Sequence, residues 1–458
     1  MTLLPFIISA AIGYLLLDLL TRKTKPLNFA LKLFLATGLG LGLSSHLTFY
    51  SYLFFNHLEP KIIIITHFII LATLIILRAG GAKGVPFSHG ANGEYEKGPQ
   101  RQDPPHSYKK YVTHVVVSLL TILITTAVLI QSQLYPKGGW DAWQVWNFKA
   151  KFLLLSGENW HDLFSPELWR SSPHYPLLLP LINVWAWLFT TKPVDVTPMI
   201  TSLLFTFLTI GVLCSSLWQK TKTIFALLPG LLLLTLPFFN LLATTQYCDI
   251  VLSFYLLAAI VTLSDERNSY ALISGLFTGF LGFTKPEGMV AALLIFTFVC
   301  GLTAWSFLRK DKIFSFRKAW LFIIGLTAAS LPTIAFHILC SPGNQTFVNG
   351  LSSTLKPATW ERLEIIMFYC VNELKSNKWN GLWFLLLLGI ILGGKNLWTK
   401  NKITAGFLFV YLAVIIVYYQ LNTYFEIKWW LSVSLNRILF SLLPLFFFWI
   451  FSGILKNK

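Results

Sequence analysis

The sequence predicts an all-α polytopic membrane protein, and two observations carry that expectation. Of its 458 residues 55% are hydrophobic, and the mean hydropathy is +0.64. Only 12% are charged, where a soluble chain carries about 25%. A water-soluble fold, a disordered chain, a collagen and a coiled coil are excluded by the same composition. A helix crossing the hydrocarbon core needs about 20 apolar residues, so about 13 transmembrane helices (roughly 12–14) would use more than half the chain.

Taken in order, apolar runs fall at 3–20, 29–55, 61–77, 111–134, 175–190, 197–218, 224–243, 249–264, 270–284, 288–308, 319–340, 380–394, 403–421 and 437–454. In lipid every backbone polar group needs an internal partner, which makes these helices rather than strands. The first run lacks a basic leader segment and a small-residue cleavage site, so it reads as a retained helix. Within the second, "GLGLG" at 38–42 reads as a helix-packing face rather than a nucleotide loop. The run at 175–190 is short and holds Pro176 and Pro180. It is expected to be partial, re-entrant or interface-lying, which leaves thirteen spans.

Three polar stretches exceed a simple turn: 78–110, 135–174 and 341–379. The segment 84–108, rich in Gly, Pro and His, reads as a flexible loop. The chain thus divides into 1–110, an N-terminal extension of three helices and a loop, and 111–458, a helical core with two large loops, 135–174 and 341–379.

The charge balance is 36 Lys+Arg against 19 Asp+Glu, net +17. Most cations sit in short loops such as "TRKTK" at 21–25, Lys109 and Lys110, "RKDKIFSFRK" at 309–318 and "KNLWTKNK" at 395–402. They report orientation and contact with anionic lipid, not nucleic acid. Counted from these loops, the N-terminus lies outside, the C-terminus inside, and 135–174, 341–379 and "YFEIKWW" at 424–430 outside. The five cysteines show no CxxC spacing, so no zinc or thioredoxin signature is present. A Cys340–Cys370 bridge is compatible with their places on either side of one loop. "NQT" at 344–346 is a sequon on the outer side.

The most informative stretch is "YPKGGWDAWQVWNFKAKFLLLSGENWHDLF", 135–164. Gly138 and Gly139 end the preceding helix, and an amphipathic surface helix follows. At helical spacing Trp140, Gln144, Asn147 and Lys151 share a face. Asp141 at its start either caps the helix or serves as a general base. Trp140, Trp143 and Trp146 suit the aromatic belt; indole faces also stack on sugar rings.

This acidic residue in the first large outer loop resembles the GT-C superfamily of polytopic glycosyltransferases. Within it the chain is similar to the branch of protein O-mannosyltransferases and aminoarabinose transferases. Four further segments carry the resemblance in order: "SSPHYPLLLP" at 171–180, "QYCDIVLSFYLLAA" at 246–259, "GFTKPEG" at 282–288 and "SLNRILFSLLP" at 434–444. Together they cover roughly 135–445. Three departures stand: Ala142 follows Asp141 where relatives carry a second acid, Asn436 precedes Arg437 in place of an Asp, and Tyr175 follows His174 in place of a Pro.

The resemblance implies transfer of a sugar from a polyprenyl-phosphate donor to an acceptor hydroxyl, on the extracytoplasmic face of the plasma (inner) membrane. The acceptor, whether glycan, lipid or protein, stays open. Asp141 and Asp249 are the implied catalytic acids, and Asp249 otherwise serves as a helix cap or dipole partner. Lys285, Arg437 and Lys149 would hold the phosphate, with Lys151 beside them. Glu287 would orient Lys285 or bind sugar hydroxyls, and His174 would contact phosphate or acceptor. Lys285 and Glu287 otherwise form a surface salt bridge, and Arg437, read as the start of the last helix, otherwise snorkels to headgroups. No cofactor, metal-ligand spacing or nucleotide site is expected, though a divalent cation shared by Asp141 and Asp249 stays open. Displacement of the phosphate would invert the anomeric centre. A lipid-linked-sugar flippase or other transporter, and a polymerase or ligase of lipid-linked glycans, are the alternatives.

Overall fold

The computed structural model describes all residues except 23, 25, 81–106, 191, 310–313, 344–358, 423, 424 and 456–458, and leaves undescribed the side chains of 107–118, 124 and 400. The expectations for the loop at 84–108, the sequon at 344–346, and part of the basic loop at 309–318 lie wholly or mostly outside the described residues. Among the described residues there are helices and turns but no strand. Among the described residues nine helices are long and apolar enough to cross a membrane, ten if one bent pair counts as a span. The protein is therefore a multi-pass integral membrane protein.

The helices are α1 Leu4–Thr21, α2 Phe29–Phe55, α3 Pro60–Gly80, α4 Ser107–Leu134, α5 Asn147–Leu155, α6 Leu178–Trp187, α7 Val196–Thr221, α8 Leu228–Leu234 and α9 Pro237–Thr244. They continue with α10 Cys248–Leu263, α11 Asn268–Gly282, α12 Pro286–Arg309, α13 Phe316–Leu339, α14 Trp360–Lys375, α15 Leu382–Lys400, α16 Lys402–Leu421 and α17 Ile427–Ile454. α2 packs on α1, α6 and α7; α7 packs on α10; α10 packs on α11 and α17. α11 lies against α12 and α13, and α17 gathers α14, α15 and α16.

The glycine run acts as a packing face. A Cβ on Gly40 would lie 1.7 Å from the Ser9 carbonyl oxygen, and one on Gly13 would lie 1.9 Å from that of Ala36. α1 and α2 thus meet backbone to backbone, as small residues allow between membrane helices. Gly38 and Gly42 admit the rings of Phe254 and Phe280 on α10 and α11.

Three apolar runs depart from simple spans. α6 has 10 residues, a reach of roughly 15 Å, about half a hydrocarbon core. All ten are buried inside the protein, so the segment is short as expected but not interface-lying. Trp185 Nε1 donates to Ser9 Oγ at 3.1 Å, and Thr201 Oγ1 donates to Asn183 Oδ1 at 2.8 Å. The run at 224–243 breaks before Pro237 into two helices bent by 76°. α10 and α11, of 16 and 15 residues, are interior helices covered mostly by protein. The expectation of thirteen spans thus meets nine or ten by length and composition among the described residues. The five cysteines, including Cys340 and Cys370, are free thiols.

The close glycine contact makes a sharp expectation. Gly40→Val should lower unfolding free energy in detergent by about 3 kcal/mol, the upper end for overpacking, since the contact is backbone against backbone. Gly301→Ala, with open space around it, should be neutral or stabilise by about 0.5–1 kcal/mol. Paired thermal-unfolding curves check both.

Candidate functional site

Three turns converge at one end of the bundle. The first is 135–141, after α4. Gly138 takes φ +75°, and a Cβ there would lie 2.4 Å from that of Ala142, so only glycine fits the bend. Gly139 N–H donates to Thr245 O at 2.9 Å, which fixes this turn to the second, at 245–249. There Gln246 has φ +63°. Its amide donates to the carbonyls of Tyr135 and Pro136 at 3.1 and 3.2 Å and accepts from Asn147 Nδ2 at 2.8 Å. The third turn, 283–288, reads out of "TKPEG". Pro286 opens α12 with its φ already set, and Gly288 lets the Leu281 carbonyl approach to 2.2 Å of where a Cβ would be. Lys285 is left just ahead of the helix, aimed at the second turn.

The side chains on these turns form one ionic cluster with α17. Asp249, in the first turn of α10, is fully buried. Lys285 Nζ donates to its Oδ1 at 2.9 Å. Arg437 donates to it from Nε at 3.2 Å and from Nη2 at 2.7 Å, both to Oδ2. The remaining guanidinium nitrogen, Nη1, sits 2.6 Å from Asp141 Oδ2. Lys285 also reaches Glu287 Oε1 at 3.3 Å, while Glu287 Oε2 is buried without a partner among the described residues. The Arg437 guanidinium lies over the Tyr247 ring at 5.1 Å. The sequence-predicted Asp141, Asp249, Lys285, Glu287 and Arg437 are thus one connected group, with three negative charges against two positive.

Several simpler readings fall. Asp141 makes no cap hydrogen bond to the helix that follows it. Asp249 is not the cap, which is Tyr247, but it lies in the first turn of α10, where a carboxylate also suits the helix dipole. Lys285 is 5% exposed, so its pairs are buried rather than superficial. Arg437 does not start the last helix. α17 begins at Ile427, so Arg437 sits about 15 Å along it, in an ion pair rather than snorkelling.

Other site residues need correction. A π-turn at Ala142–Trp146 closes on Asn147 N–H to Ala142 O, adding a residue to the turn. The expected common face of Trp140, Gln144, Asn147 and Lys151 is thereby split. Trp140 and Gln144 line the cavity described below, Asn147 turns inward to Gln246, and Lys151 faces Asp195 at 3.5 Å. Lys149, expected at the surface with phosphate, is wholly buried. It donates to Ser172 O at 2.7 Å and Tyr175 O at 3.0 Å, pinning the turn at 172–175. Burial pushes its ammonium down to about 7. Trp143 packs edge-on against Trp140, their rings 4.6 Å apart.

Beside the cluster lies a cavity of about 1120 Å³. Trp140, Gln144, Trp169 and Arg170 make part of its wall, His174, Tyr175 and Glu287 another, and Val290, Val414, Ile415 and Ile438 an apolar part. Gln246 and Tyr247 were not singled out from the sequence, and Tyr175 was noted only as a departure after His174. Tyr175 sits in the field of Glu287, Lys285, Arg437 and Asp141, and burial raises its phenol so that it stays a neutral donor. Its adjacency to His174 was the available signal. His174 is lowered to about 4, first by burial and then by the charges of Lys149 and His337. Among the described residues no group of three His, Cys, Asp or Glu is placed to hold a metal. Arg437 itself bridges the two carboxylates.

Comparison with known protein families, with curated proteins and with solved structures returned no match.

Two measurements follow from the burial pattern. Arg437→Met should cost about 3–5 kcal/mol, because it strands one charge of a buried pair. Asp141→Asn, at 25% side-chain exposure, should cost about 1 kcal/mol or less. Unfolding titrations in detergent compare them. For His174 the folded pKa lies below the unfolded 6.5, so the unfolded state takes up a proton first as pH falls. Wild type should therefore lose stability relative to His174→Gln between about pH 6.5 and 4, read as the difference between their melting temperatures.

Proposed function

We propose that the protein is an integral-membrane glycosyltransferase. It moves a sugar from a polyprenyl-phosphate donor to an acceptor hydroxyl on the extracytoplasmic face of the plasma (inner) membrane. The observation that carries this reading is the Arg437 bridge between Asp141 and Asp249, with Lys285 and Glu287 alongside, next to a large cavity with aromatic, polar and apolar walls.

The chemistry follows from charge development. When the anomeric carbon leaves its phosphate, negative charge grows on the leaving oxygens, and fixed cations there lower the barrier. Arg437 presents a planar fork suited to phosphate, and Lys285 adds a point charge. Asp249 holds both cations in place. Asp141, partly exposed, takes the proton of the attacking hydroxyl. Trp140 gives the sugar a ring to stack on, and Glu287 Oε2 is an acceptor for a sugar hydroxyl. The apolar wall from α12, α16 and α17 suits a prenyl chain.

Glycan products from cells carrying wild type, Asp141→Asn or Lys285→Ala test the reading. Asp141→Asn should keep its folded level in the membrane and reduce transfer by about 10²–10⁴-fold, the usual loss with a general base. Unchanged glycans at normal expression of Asp141→Asn would overturn it.

A further inference from the structure

The Arg437 fork has no free edge. Its Nε and Nη2 are committed to Asp249, and its Nη1 to Asp141. A phosphate can grip the guanidinium with two parallel hydrogen bonds only by displacing one of the two carboxylates. They are not equally displaceable. Asp249 has no exposed surface, accepts three contacts from Arg437, and is held again by Lys285. Asp141 makes one ion pair and its side chain is 25% exposed. Its backbone is fixed, since the turn before it is tied to Thr245 and Gln246, so release needs only rotation of its side chain.

We propose that Asp141 occupies the phosphate seat on Arg437 in the empty protein, and that an arriving phosphate expels it into the cavity. This rests on the transferase reading and adds an order of events to it: the base is set free by the donor.

Charge arithmetic favours the exchange. The five ionised groups sum to −1. A phosphodiester monoanion brings the site to −2, with Asp141 and phosphate then competing for one donor edge. Rotation separates the two anions and puts the carboxylate where an acceptor hydroxyl can meet it. As the hydroxyl oxygen bonds to the anomeric carbon its proton passes to Asp141, and the broken sugar–phosphate bond leaves a second negative charge on the polyprenyl phosphate; the site stays at −2, with the dianion held by Arg437 and Lys285. Until the donor is seated, Asp141 is held by Arg437 and unable to activate water or acceptor, which guards against wasteful hydrolysis. Seating the donor therefore precedes activation of the acceptor.

The test is binding, not turnover. Purified full-length protein in detergent is titrated with a short-chain polyprenyl phosphate. With the competitor gone, Asp141→Asn should bind it about tenfold tighter than wild type, the lower end for a charge-assisted hydrogen bond. Glu287→Gln removes the same charge without touching Arg437, and should tighten binding by much less. Equal gains in the two variants would mean general electrostatics and overturn the exchange. So would unchanged or weaker binding by Asp141→Asn. An excess of phosphatidylglycerol should not compete; competition would make Arg437 a common headgroup site and overturn the proposal. If wild type binds and transfers but the variants do not differ, only the exchange fails. If no form binds the probe, the exchange and the donor assignment fail together.

Discussion

A carboxylate without access to water dictates this end of the molecule. Asp249 is fully enclosed, and an isolated charge there would be prohibitively costly. Lys285, in the turn just ahead of α12, and Arg437, on α17, meet that demand, so the starts of α10 and α12 and the middle of α17 are held in one relative placement. The pair is better understood as a device for specificity of arrangement than as a source of net stability, because desolvation consumes most of the Coulomb gain. Everything else at the site is positioned with respect to this pair. Asp141 reaches the far side of the same guanidinium, Glu287 the far side of the same ammonium.

Contacts outside the ionic cluster secure the loop that carries Asp141 and its neighbour at 172–175. Gly138 permits the bend, Gln246 ties two turns through its amide, and Lys149 spends its ammonium on two carbonyls of 172–175. These are interior fastenings made by polar residues in a protein with few charges for its length. They leave Trp140, Gln144, His174 and Tyr175 on the cavity wall.

Much of this was legible in the sequence. Hydropathy and scarce charge sufficed for a helical membrane protein, and the rarity of acids drew attention to Asp141, Asp249 and Glu287. The "TKPEG" turn announced itself through Pro286 and Gly288. What stayed hidden has physical reasons. A π-turn depends on local packing and leaves no periodic mark, so Asn147 and Lys151 were assigned to the wrong face. The start of α17 was misplaced because "IKWWLSVS" reads as interfacial, yet its Trp430 is buried against Tyr418 and Tyr419. α10 and α11 look like ordinary spans by composition, because enclosure in protein and enclosure in lipid select the same residues.

Asp249 and Arg437 stand 188 positions apart along the chain. During synthesis the acid is therefore made long before its main counter-charge. α10 must wait in the membrane with Lys285 as its nearest cation until α17 is delivered. Docking of α17 is thus the event that neutralises the interior, closes the cavity wall with Trp430, Ser434 and Ile438, and supplies the last component of the site. A chain interrupted before that helix would hold a buried, under-compensated acid, a mark by which quality control can tell an unfinished protein from a finished one.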